Sequence, residues 1–156
     1  MNFRILIVAI FANCALASAQ LKTNVEGSKF QFKEIVRHDV SPVESQGRAG
    51  TCWSFSALSF LESEIMRINK TDKPILLSEM FIVRKAYEAK AQKYIRMDGH
   101  TNFGQGGAFH DIPYVIKNYG IVPQNVYTGL KKKSDTYNHS EMFKELNDIV
   151  SKAKAD

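Results

Sequence analysis

Apolar positions recur at helical spacing in four stretches of this chain. Leu58, Leu61, Ile65 and Ile68 fall three and four residues apart, and Phe55 extends the stripe toward its start. That spacing predicts a helix from Trp53 to Ile68. Thr51 stands where an N-cap is expected, and Pro74 closes the loop that follows. Ser78-Glu79 opens a second helix, roughly Glu79 to Ile95, carrying Ile82, Val83, Ala86 and Tyr87. A third, about Ala108 to Asn118, runs into Tyr119-Gly120, where Gly120 suits the position just past a helix end. A fourth amphipathic segment, about Ser140 to Ala153, aligns Met142, Leu146, Ile149 and Val150 on one side. Nothing downstream remains for that stripe to pack on, so the chain reads as stopping inside a larger architecture. Between these elements, Phe30 to Val36 leans toward β, and Pro42 holds Ser41 extended. Gln46-Gly47-Arg48-Ala49-Gly50 and Gly99 to Gly107 are glycine-bearing loops.

The first nineteen residues have a different pattern. Arg4 precedes an apolar run from Ile5 to Leu16, and Ala17-Ser18-Ala19 follows. This is the layout of a secretory signal peptide cut before Gln20, and it predicts an exported protein, periplasmic or secreted. The run is too short to span a bilayer, which takes roughly 20 apolar residues. Cys14 raises a lipoprotein alternative, but Asn13 fits a lipid-attachment site poorly. Residues 20–156 then form the folded part.

Composition narrows the class. Of 156 residues, 44% are hydrophobic and 24% charged, which describes a core-forming globular chain and excludes coiled coil, low-complexity polymer and disulfide miniprotein. The formal charge is +5, or +4 once Arg4 is lost with the leader. Lys131-Lys132-Lys133 is the one basic run and has no interleaved aromatics, so nucleic acid is not an expected partner. Neither Cys-x-x-Cys nor His-Glu-x-x-His occurs, so no metal site is expected, and no cofactor either. Gly104-Gln105-Gly106-Gly107 is no dinucleotide fingerprint, because Phe109 occupies the place of the last glycine.

Cysteine usage singles out one atom. With Cys14 lost alongside the leader, Cys52 is the sole thiol, whereas exported proteins usually pair their cysteines. It sits where a glycine loop meets a helix start, a place whose unpaired N–H groups and dipole favour a thiolate, the form that attacks carbonyl carbon. Gln46, six residues upstream, can turn its amide back across the loop. With the Cys52 N–H it would supply two donors to a developing oxyanion.

The run Val40-Ser41-Pro42-Val43-Glu44-Ser45-Gln46-Gly47, with Gly50-Thr51-Cys52-Trp53-Ser54-Phe55-Ser56, resembles the active-site region of papain-like cysteine peptidases. Leu77-Ser78-Glu79, Gly106-Gly107, Tyr119-Gly120-Ile121-Val122-Pro123 and Tyr127-Thr128-Gly129 continue in register. Asn138-His139-Ser140-Glu141-Met142 and the lack of disulfides are more similar to the bleomycin hydrolase/aminopeptidase C branch than to the cathepsins. The resemblance implies an α+β fold of which this chain holds mainly the helical half. It implies Cys52 as nucleophile, Gln46 as oxyanion donor, and Gly106 and Gly107 against the substrate backbone, with Gly50 walling the cleft. It also implies a peptide as substrate and aminopeptidase-like hydrolysis.

The family's histidine and asparagine lie roughly 130–150 residues or more past the cysteine, and only 104 residues follow Cys52. His38, His100, His110 and His139 are therefore too early. The expectation is an N-terminal fragment or half of a split enzyme, inactive alone, whose partner is the missing half or a second copy. Two other readings compete. One is an inactive partner-binding module using the stripe of the fourth helix. The other is a basic domain for acidic polymers.

Overall fold

The computed structural model describes residue 24, residues 26–132 and residues 135–155, so the expected leader lies outside the described residues. The chain divides into two units at the Arg37–His38 junction. In the first, the Asn24 side chain brackets the backbone of Phe32: its amide donates to the Phe32 carbonyl (3.0 Å) and its oxygen accepts the Phe32 N–H. Residues 30–36 form no strand. Their N–H and C=O groups meet no neighbouring ladder, and without one the β-leaning composition has nothing to pair with.

The second unit is built on four helices: α1 (Cys52–Asn69), α2 (Glu79–Arg96), α3 (Asp111–Tyr119) and α4 (Ser140–Ala155). Helix α2 packs on each of the other three. The core sits around it, with Leu58 of α1, Ile82 of α2, and Ile112 and Val115 of α3 fully buried. Among the described residues the β component is limited to two isolated bridges, Arg48 with Asn138 and Leu77 with Pro123. Of the expected α+β fold, then, the helical part is present.

Each helix end has a local cause. α1 stops where Lys70 turns left-handed (φ 50°) and its N–H returns to the Met66 carbonyl. Ser78 starts α2 by accepting the Phe81 N–H at 3.0 Å, while its hydroxyl donates to the Tyr127 carbonyl. α3 begins three residues later than its sequence predicts, because the Asp111 carboxylate holds the Ala108 N–H (2.9 Å) in a turn. Gly120 ends it at φ 79°, as expected.

Two apolar stripes are rotated from their predicted faces. On α1 the buried positions are Trp53, Ser54, Ala57, Leu58, Glu62 and Met66. Phe55, Leu61 and Ile65 sit at the margin, and Ile68 is 66% exposed. Small residues let α1 approach α2 closely: the Ser54 hydroxyl donates to the Glu79 carbonyl at 3.1 Å. The buried Glu62 carboxylate accepts the Leu77 N–H at 2.7 Å. On α4 the inward residues are Phe143, Leu146 and Val150, while Met142 and Ile149 face solvent. The stripe finds cover upstream, not downstream. Phe143 stacks on Phe103 (centroids 5.2 Å apart, 15° between planes) and meets the edge of Tyr87 at 5.6 Å.

Candidate active site

The loop before α1 is pinned by backbone. Arg48 donates its N–H to Tyr137 O (2.8 Å), and its carbonyl accepts the His139 N–H (3.2 Å). Gly47 permits this approach: its φ is +56°, and a Cβ there would stand 2.5 Å from the Tyr137 carbonyl oxygen. The loop delivers Thr51, fully buried, and then Cys52, whose thiol is free and exposed.

Thr51 occupies the cap position of α1 without capping it. Its backbone (φ −116°, ψ 15°) is not extended, so its hydroxyl does not reach the first-turn N–H groups and is buried without a partner. The Thr51 carbonyl instead takes the N–H groups of Ser54 (2.9 Å) and Phe55 (3.3 Å). No acidic residue stands in the first turn. The first turn of this eighteen-residue helix thus brings no side-chain anion of its own to the positive end where Cys52 stands.

Gln46 is half-buried and donates one amide hydrogen to the Ala49 carbonyl at 2.9 Å. An amide has two such hydrogens, so one donor is left over. Gly50 donates its N–H to Gln105 Oε1 (2.8 Å), and a Cβ on Gly50 would lie 3.0 Å from that side chain's Cβ. The Gln105 carbonyl accepts the Trp53 indole N–H at 3.0 Å. Gly107 fits flat against the indole: a Cβ there would be 2.6 Å from two ring carbons. Above Gly106 the space is open, with nothing within 4 Å of such a Cβ. Gly50, Trp53, Gly106 and Gly107 are therefore brought together around Gln105, one residue from the Cys52 thiol.

Gln105 escaped the sequence reading, because a polar residue among glycines carries no periodic or motif signal. Lys90 escaped it too. Its ammonium donates to the Gly106 carbonyl and lies 5.2 Å from the Trp53 ring centroid. Burial lowers its pKa, partly offset by the Asp111 carboxylate. Glu79, in the Leu77-Ser78-Glu79 run, is 4% exposed, with Oε2 unpartnered. Burial pushes its carboxyl up to about 7, and the charges of Glu62 and Glu44 add to the rise.

Two of the four histidines, His110 and His139, have identified side-chain neighbours. The ring of His139 stands edge-on to Tyr87, and burial lowers its pKa. His110 lies 3.7 Å from the Asp111 carboxylate, although the two are neighbours in sequence. Among the described residues no group of three or more His, Cys, Asp or Glu side chains is arranged to hold a metal. No described helix is long and apolar enough to cross a membrane.

Comparison with known proteins places this arrangement in a family. The model of the papain family of cysteine proteases matches residues 28–155, and the chain belongs to that family. It is 26% identical to bleomycin hydrolase of Oryctolagus cuniculus over 149 residues, 83% of this chain and 50% of the relative. Bleomycin hydrolase of Rattus norvegicus is also 26% identical, across 83% of this chain and 31% of the relative. The oryzain beta chain of Oryza sativa subsp. japonica is 35% identical over 91 residues, 56% of this chain and 16% of the relative. The chain therefore spans half or less of the length of these relatives.

Proposed function

We propose that this chain is the helical, nucleophile-bearing half of a cysteine peptidase of the aminopeptidase-like bleomycin hydrolase type. The observation that carries the reading is the position of Cys52: an exposed thiol at a helix start that no side chain caps. Its sulfur attacks the scissile carbonyl and forms a thioester. The amine leaves with a proton, and water then releases the acid and restores the thiol. Gln46 and the Cys52 N–H stabilise the oxyanion. Gly106, whose carbonyl Lys90 holds, offers the peptide open space where a side chain would stand, and Gly50 lines the cleft. The kinship with bleomycin hydrolases supports the branch. The histidine that draws off the thiol proton, and its polar partner, come from outside residues 24–155; His110 and His139 stand beside Asp111 and Tyr87.

The test is covalent labelling. An epoxide inhibitor of thiol peptidases is expected to add to Cys52, read as an intact-mass shift that Cys52→Ala abolishes. Aminoacyl-amide substrates are expected to turn over little with this chain alone. Absence of labelling in the folded chain would remove Cys52 as nucleophile, and robust turnover would remove the need for a second half.

A further inference from the structure

Gly106 and Gly107 line a groove of about 740 Å³, walled by the C-terminal half of α2 and the start of α3. Its charge is one-sided. Lys90, Lys93 and Arg96 recur every third residue along the α2 wall, and His110 stands on the other. Asp111 is the one acidic residue lining it among the described residues, and that carboxylate is already held by the Ala108 N–H at 2.9 Å. Lys90 is committed to the Gly106 carbonyl. Lys93 and Arg96 are exposed and have no ion pair among the described residues. Cations in a last helical turn offset the negative helix end, but that role does not require both to face one groove.

We infer that this groove is a subsite for acidic side chains of the peptide substrate, with Lys93 and Arg96 as the specificity-determining residues. The inference rests on the peptidase reading. The glycine pair joins the two regions: Gly107 touches Trp53, the neighbour of Cys52, and both glycines line the groove. A peptide running along Gly106 therefore passes its side chains beneath the α2 wall. Clefts lined by one sign of charge concentrate the opposite sign. The aliphatic stems of the lysines and the flanking Ala86 and Ala89 accept the methylene groups of Glu as well.

The experiment titrates a glutamate-rich peptide and its glutamine counterpart into the full chain by isothermal calorimetry. Iodoacetamide alkylation of Cys52 is followed by mass in parallel. The glutamate peptide is expected to bind about fivefold tighter, the size of two partly screened charge contacts. High salt or Lys93→Gln/Arg96→Gln abolishes the preference, while the rate of Cys52 alkylation stays unchanged. Equal binding of the two peptides, or a preference that survives the double substitution, overturns the subsite. The alkylation arm separates the two ideas: an unreactive Cys52 counts against the peptidase, and the glutamate-to-glutamine ratio still decides the groove.

Discussion

Glu79 carries a carboxyl into the interior at the start of α2, with one oxygen unpartnered and its pKa raised from 4.5 to about 7. A folded state that holds this proton more tightly than the unfolded chain gains most below pH 4.5, and loses the gain as pH climbs through about 7. His139 acts oppositely: its pKa is lowered from 6.5, so acidification below that value favours the unfolded chain. Between pH 5 and 8 the melting temperature of the native chain is therefore expected to drop relative to that of Glu79→Gln, in which the His139 contribution is left alone. Superimposable slopes would show that Glu79 is ionised in both states. The glycine pair gives a second prediction at this scale. Gly107→Ala drives a methyl into the Trp53 ring, and overpacking of this kind costs about 1–3 kcal/mol in urea unfolding. Gly106→Ala meets open space, so it leaves stability unchanged and weakens peptide binding instead.

For the helices, the test lies in which face is inward. Ile149 is 60% exposed and Val150 is 4% exposed, although both belong to the stripe read from sequence. Ile149→Asp is expected to leave the melting temperature within a degree or two, while Val150→Asp, which buries an unpaired charge, lowers it steeply. Equal effects would place the predicted stripe, not the observed one, against the core. The reason for the shift also says what sequence can convey. Periodicity found all four helices to within a few residues, because an amphipathic pattern survives a rotation of tens of degrees. It did not find which face was inward. On α1 that depended on Ser54, Ala57 and Glu62, small or charged residues that apolar counting skips; on α4 it depended on Phe143 finding Phe103. The loop motif around Cys52 was legible as a family resemblance because its residue types are rare together. Gln105 and Lys90 meet the glycines through the Gly50 N–H and the Gly106 carbonyl, and such side-chain contacts to backbone leave no such mark.

At the scale of the whole molecule, the four helices among the described residues enclose their own core, yet the Cys52 thiol stands on the outside of it. On the proposed reading, a second wall of the cleft is supplied from elsewhere. The expected behaviour of the chain is that of a competent nucleophile without a base: labelled by an epoxide, slow on amides. One feature makes such a molecule easy to follow. Trp53 is its single tryptophan, with its indole N–H on the Gln105 carbonyl at 3.0 Å, its face against Gly107 and an ammonium 5.2 Å away. The chain's entire indole emission thus originates one residue from the Cys52 thiol. Docking of a second half, or arrival of a peptide, can be watched as a spectral shift in the unlabelled protein, in real time and without any added dye.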